Sequence, residues 1–377
     1  MENMMEQKKY LRIFWEKTEH KTAKILRVFG SEPFLILPEA VEGFPVTEIG
    51  NYCFAENCHL PETYFETVLY RNAEKLFADW ETAVEMCRTE KFEETCGQES
   101  SEDTCGEKSS VEMYSNEDTD KLALTTISGN YLEEITLPEN LEKIGNLAFY
   151  NCTSLKKITL GKKMEQVGSD AFMNCRKFSR ICLNCGVGER SGIRQILSQI
   201  SSDMEVTFCG KSGVEAVVFY PEYYESYDEI APAHLFGRNI EGEGFRARQC
   251  FKDGIAELMQ YDTIFPKACV EENEKTLRKI TVTRLRYPVG MNGQARQLYE
   301  AYFTEHGREI AEELAQEKKT DDIRYFCEKK LLLQDSLETA IQTAAAMEWA
   351  EGTAALLHMK QEFFAKAAAE RYAFEEF

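Results

Sequence analysis

The chain has no run of apolar residues approaching the roughly 20 needed to span a bilayer, and it carries no Gly-x-Ser-x-Gly, Walker loop or zinc-protease helix. It is also short of positive charge: 44 lysines and arginines stand against 65 acids, a formal −21. Nucleic acids and anionic membrane surfaces are held by basic patches that release counterions, so neither is expected as a partner. Met1 to Lys24 is charged throughout, with Ile13-Phe14-Trp15 its only run of three bulky apolar residues, and offers no signal-peptide core. The expected location is therefore cytoplasmic. The thirteen cysteines, an odd count in a large chain without an export signal, are expected to be thiols rather than disulfides.

What the chain has is a repeat. The stretch Leu137 to Leu160 recurs as Leu160 to Leu183 at a spacing of 23 residues. Ile144 falls on Val167, Gly145 on Gly168, Ala148 on Ala171, Phe149 on Phe172, Asn151 on Asn174 and Cys152 on Cys175. A period of this length, with matched apolar and turn residues, is the mark of a stacked solenoid. A degenerate first unit begins at Leu37-Pro38 and continues through Ile49-Gly50-x-x-Cys53-Phe54, with Glu42 to Val46 inserted.

Strand side chains alternate, so Ile158 and Leu160 are expected inward and Lys157 and Thr159 outward. Stacking then sets Ile135, Ile158 and Ile181 in one inner column, and Glu134, Lys157 and Arg180 in one exposed column. Phe149 and Phe172 are expected to fill the space between strand and outer segment. Gly145 and Gly168 are expected at a turn that a Cβ would obstruct, and Asn151 and Asn174 to bond local backbone.

The unit Leu132-Glu-Glu-Ile-Thr-Leu-Pro138 … Ile144-Gly145 … Ala148-Phe149 … Asn151-Cys152, with its copy ending at Asn174-Cys175, resembles the BspA-type leucine-rich repeat of bacterial proteins. The resemblance covers about a third of the chain and implies a strand, a turn and a compact outer segment per unit. It further implies a curved right-handed solenoid that binds other macromolecules. The C-terminal pattern LETAIQTAAAMEWAEGTAALL loosely resembles ankyrin- or HEAT-type helical pairs. The fold class expected is α+β: a leucine-rich repeat solenoid with short parallel strands, followed by an α-helical domain.

Five regions follow. Residues 1–58 read as strands and the degenerate first repeat, and 59–126 as an insert. Phe65, Val68, Leu69, Leu76, Phe77, Trp80 and Val84 lie near helical spacing, so the insert is expected to open with one or two helices. It then becomes a disordered acidic loop, where Gly97 to Asp120 holds eight acids and one lysine. Residues 127–209 are the solenoid, capped by a helix over Gly192 to Ile200 and a strand over Met204 to Phe208. Residues 210–290 read as a mixed linking segment, and 291–377 as helices over Gln294–Gln316, Asp321–Lys329, Asp335–Met347 and Trp349–Glu362.

Little here points to chemistry. Cys182-x-x-Cys185 is the one metal-like spacing, and a structural zinc site needs four ligands; ordinary thiols are expected, with no metal and no cofactor. Cys152 and Cys175 are expected as small buried thiols, with a disulfide as the alternative. Gly186-Val-Gly188 reads as a turn between repeats. The expected function is a non-catalytic protein-interaction scaffold or adaptor with an unidentified protein partner. It would bind through Glu134, Lys157, Thr159 and Arg180 on the strand face, and through Tyr223, Tyr224 and Tyr227 among carboxylates as aromatic anchors. The rivals are an exported surface adhesin of the same repeat type, and an enzyme whose site lies in 210–290 on His234, Asp228 or Glu229 and the arginines Arg238, Arg246 and Arg248.

Overall fold

A computed structural model describes residues 9–56, 60–61, 63–71, 125–230 and 235–373. It divides into two compact units, Met1–Cys185 with Glu189–Ile200, and Gly186–Gly188 with Ser201–Phe377.

The first unit starts with β1 (Lys9–Lys17) and β2 (Ala23–Gly30), an antiparallel pair with a bulge at Phe14/Trp15. Next come β3 (Phe34–Ile36), β4 (Ala40–Val41), β5 (Phe44–Ile49) and β6 (Phe65–Arg71). β6 corrects the helical reading of the insert: Phe65 to Arg71 is a strand, paired antiparallel with β1 along its whole length. Tertiary pairing overrides the spacing here, because Phe65 packs on Trp15 and the Trp15 indole Nε1 donates to Thr67 Oγ1 at 3.0 Å. Residues 72–124 of the insert, including Gly97 to Asp120, lie outside the described residues.

The repeats supply β7 (Thr125–Thr126), β8 (Glu134–Thr136), β9 (Lys143–Ile144), β10 (Lys157–Gly161), β11 (Gln166–Val167) and β12 (Arg180–Asn184). β3, β8, β10 and β12 form one parallel sheet and β5, β9 and β11 another. Each unit therefore lays down two short strands, and strand N–H groups donate to carbonyls of the neighbouring unit. The ladder continues through the outer segment, where Phe54 N donates to Ala148 O and Phe149 N to Ala171 O, both at 2.8 Å.

Like residues stack on like. Phe54, Phe149 and Phe172 form a buried column of near-parallel rings, with centroids 4.9 and 5.2 Å apart. Gly145 and Gly168 are glycines because of close approach: a Cβ would sit 2.5 Å from Asn51 N or 2.4 Å from Asn146 N. The left-handed residue of the turn is two positions later, at Tyr52, Leu147 and Asp170. Asn151 and Asn174 are also left-handed, a conformation asparagine tolerates. Their side chains bond each other, Asn174 Nδ2 donating to Asn151 Oδ1 at 2.5 Å, rather than local backbone.

The helix expected after the last repeat is α1 (Ile193–Leu197), which buries Ile193, Ile196 and Leu197. Two glutamines on this turn imitate a further repeat. Gln195 Oε1 accepts from Val167 N at 3.0 Å and its amide donates to Glu165 O; Gln199 Oε1 accepts from Ala171 N at 3.0 Å and its amide donates to Gly168 O at 2.9 Å. Backbone groups left over by the last repeat are thereby satisfied.

In the second unit, β13 (Met204–Gly210) and β14 (Gly213–Tyr220) make an antiparallel hairpin. β15 (Tyr224–Ile230) and β16 (Leu235–Glu241) make a separate two-stranded ribbon. After α2 (Gly244–Ala247) and the short pair β17 (Phe251–Lys252) and β18 (Ile255–Ala256) the unit is helical. The helices begin well before Met291: α3 (Leu258–Asp262), α4 (Phe265–Glu271) and α5 (Glu274–Arg286) all fall in the supposed linking segment. Their apolar pattern is broken by buried Asp262, Thr276, Thr281 and Arg284, which is why periodicity alone misses them. The single helix expected over Gln294–Gln316 is two, α6 (Gly293–Glu305) and α7 (Gly307–Gln316), broken where His306 leaves helical geometry. α8 (Thr320–Glu328), α9 (Gln334–Ala346) and α10 (Ala350–Ala373) complete the unit.

α7–α8 and α9–α10 are two copies of one helical hairpin. Lys318 and Glu348 are both left-handed in the connecting turns, and Lys319 N→Leu314 O is matched by Trp349 N→Ala344 O, each at 3.0 Å within 0.1 Å. Ile310 and Ala340, Leu314 and Ala344, and Phe326 and Leu356 are buried at equivalent positions. α7 packs on α9 and α8 on α10.

Candidate functional site

The outward face of the sheet β3-β8-β10-β12 is the candidate site. Its register places Phe34, Glu134, Lys157 and Arg180 in one row across the four strands, and Ile36, Thr136, Thr159 and Cys182 in the next. Between them, Leu35, Ile135, Ile158 and Ile181 point into the core. The row order follows from the 23-residue spacing, since one repeat advances the chain by one strand. Lys157 Nζ lies 3.9 Å and Arg180 Nη2 3.5 Å from the two oxygens of Glu134. Lys156 pairs with Glu133 in the flanking row.

Two members of the expected set are corrected. Thr159 is on the outward side but only 5% exposed, closed in by Thr136 and Cys182 on either side, so it offers no contact surface. Tyr223 is buried at 7% exposure, edge-on to Phe245 and under the Arg248 guanidinium, and burial raises its phenol. Tyr224 and Tyr227 are exposed, but three residues apart on one strand they face opposite sides of the ribbon. The three tyrosines do not form one patch.

Phe34 was hidden from the sequence reading. Phe34-Leu-Ile-Leu37 looks like a compact apolar run, yet aligning Leu35 and Leu37 with Ile135 and Leu137 puts Phe34 in the outward row, where it is 44% exposed.

Among the described residues, several groups considered for chemistry are each engaged by separate partners. Asp228 accepts from Asn239 Nδ2 at 2.5 Å on the ribbon, Arg238 binds Glu225, and Arg246 binds Glu243. Arg248 is buried and donates to the carbonyls of Pro221, Gly244 and Ser202. His234 lies outside the described residues. Cys152 and Cys175 are thiols, not a disulfide: Cys152 Sγ donates to Phe54 O at 3.3 Å and Cys175 Sγ to Phe149 O at 3.1 Å. Burial pushes Cys152 far above the ordinary thiol range and Cys175 up to about 12, so neither is a nucleophile at neutral pH. Cys182 is half-buried and Cys185 buried; among the described residues no cluster of three or more histidines, cysteines or acids is placed to hold a metal. Among those residues, too, no helix is long and apolar enough to cross a membrane.

The family model for the BspA type leucine rich repeat region (6 copies) matches residues 125–195. That segment is a BspA-type leucine-rich repeat. The matched stretch runs from β7 into the start of α1, so it takes in the strand face from β8 onward and Gln195 of the cap, and stops short of Gln199. The degenerate first unit, with β3, β5 and the Phe54 ring, stacks on this leucine-rich repeat in register although it precedes the matched stretch. No curated protein and no solved structure matches the chain.

Proposed function

We propose that this protein is a non-catalytic interaction scaffold that binds another protein on the outward face of β3-β8-β10-β12. One observation carries the reading: the Phe34–Glu134–Lys157–Arg180 row, an apolar residue and three charges held at fixed strand spacing on one face of the sheet. Such a row stands on a paired strand backbone, so little backbone ordering entropy opposes binding. The unpaired thiols of buried Cys152 and half-buried Cys175 suit a reducing compartment, which supports placing this activity in the cytoplasm. Tyr224 and Tyr227 are a lesser candidate because they share no face.

The test is a quantitative pull-down with the full chain, comparing the parent with Phe34→Ala/Arg180→Glu and with Tyr224→Ala/Tyr227→Ala. Specific partners are expected to be lost with the first variant and kept with the second. Equal recovery with all three baits would overturn the strand-face reading.

A further inference from the structure

The charge of this acidic chain is unevenly spread. Between Lys156 and Arg194 there are nine bases and three acids, a formal +6, which leaves −27 for the rest of a chain whose total is −21. Part of that excess stands on the strand face. At the N-terminal ends of β10 and β12, Lys156 and Lys157 neighbour Arg180, and exposed Arg176 and Lys177 lie just before Arg180 in the chain. Among the described residues, Glu133 and Glu134 of the adjacent strand are the acids paired with Lys156, Lys157 and Arg180, while Arg176 Nε donates to Asn174 Oδ1 at 2.8 Å. The Glu134 contacts, at 3.5 and 3.9 Å, are longer than the roughly 2.7–2.9 Å of a good charge-assisted hydrogen bond. Half-exposed pairs of this kind contribute little and exchange partners easily.

From this the geometry points to an acidic protein segment as the occupant, an inference that rests on the strand-face reading above. Carboxylates of an extended segment would replace or share Glu134 as the partner of Lys157 and Arg180. Phe34, three strands from Arg180, adds a second requirement. At about 4.8 Å per strand the two are about 14 Å apart, and an extended chain rises about 3.3 Å per residue. The segment that fits therefore carries a bulky apolar residue about four positions from the acid that meets Arg180. A nucleic acid fits less well: Glu133 and Glu134 are fixed among the bases, and the field of the rest of the chain repels a long polyanion.

The experiment is fluorescence anisotropy with the full chain and three labelled 12-residue peptides: Glu-rich with one Phe four residues from a Glu, the same composition with Phe adjacent to that Glu, and a Lys-for-Glu version. The first is expected to bind best, more weakly as salt rises, and about tenfold more weakly to Lys157→Glu/Arg180→Glu. Both side chains are surface groups, and an unchanged melting curve of that variant verifies its fold. Four results would overturn the inference: no saturable binding of the first peptide, equal binding of the Lys version, tighter binding of a DNA duplex of matched length, or concentration-dependent self-association that the peptide does not displace. If the strand-face variants of the pull-down still lose a partner that has no acidic segment, the chemistry fails and the face stands. If peptide binding is abolished by Tyr224→Ala/Tyr227→Ala and kept by Lys157→Glu/Arg180→Glu, the face itself is wrong.

Discussion

The two units solve the same problem, satisfying buried backbone, in different ways. In the repeats, N–H groups of one unit donate to carbonyls of the next, and the core is columns of Ile, Leu and Phe with no buried ion pair among the described residues. The second unit has irregular junctions, and buried arginines fill them. Arg284 pairs with Asp262 at 2.7 and 2.8 Å and also donates to the carbonyls of Tyr287 and Val289, while Arg248 serves three carbonyls. The exception on the solenoid side teaches the same lesson. Arg27 of β2 is buried beside the degenerate first unit, donating to the carbonyls of Tyr52, Cys53, Ala55 and Glu56, just where the repeat is least regular. A buried guanidinium marks the place where periodicity stops.

The sharpest test of that contrast is Asp262→Ala. It strands Arg284 and also removes the acceptor of Tyr299 OH, so a loss of about 3–5 kcal/mol in urea unfolding is expected. Asp262→Leu/Arg284→Met should recover part of it, since no buried charge is left unpaired. On the solenoid side Phe149→Ala is expected to cost about 3–5 kcal/mol through lost transfer energy and a cavity. Because Phe149 contacts Phe172, the double truncation should cost less than the two singles together. Strict additivity would show that the rings do not act as a column.

Gly168→Ala comes next, at about 1–3 kcal/mol, from overpacking against the Asn146 backbone. A wild-type melting temperature would mean that the repeats can spread apart cheaply. Alkali should separate the units more gently. Burial raises the thiol of Cys175 from about 9 to about 12, so its folded form keeps a proton that the unfolded chain loses; the stability it contributes is intact below pH 9 and falls as pH climbs toward 12. Tyr261 and Tyr299, raised by burial from about 10, impose the same loss on the second unit from a unit higher. Melting curves from pH 8 to 10 should therefore flatten in Cys152→Ala/Cys175→Ala, and an unchanged slope would remove the thiols from the account. The smallest effect is expected from Glu134→Ala, about 0.2–1 kcal/mol, since its pairs are surface pairs. A larger loss would mean that the row holds the sheet together rather than standing ready for a partner.

Much of the first unit was legible because a repeat is a local rule applied again. Spacing alone gave the partners Lys157↔Glu134 and Lys157↔Arg180, the inward Ile column and the stacked phenylalanines. It also gave that a Cβ would be obstructed at Gly145 and Gly168, but not what obstructs it, since the close neighbour is the backbone of the preceding turn. The segment from Gly210 to Gly290 was poorly legible because its core is partly polar: Arg284, Asp262 and Arg248 read as surface residues until their partners are known. Of the candidate binding residues, Thr159 and Tyr223 were misplaced for one reason. Alternation says which side of a strand a residue is on, but neighbouring side chains decide whether it is reached.

By itself the sequence determined the leucine-rich repeat, its register from Leu137 onward and the stacking of Phe149 on Phe172, since each depends only on chain distance modulo 23 residues. It also determined the helical hairpins of the C-terminal region, where apolar spacing is helical. Only tertiary structure decided that Phe65 to Arg71 is a strand, that Phe34 joins the binding row, that Gln195 and Gln199 close the ladder, and that three arginines belong in the core. In each of those cases the deciding partner is remote in the chain or is a backbone group whose need for a hydrogen bond no side-chain pattern records.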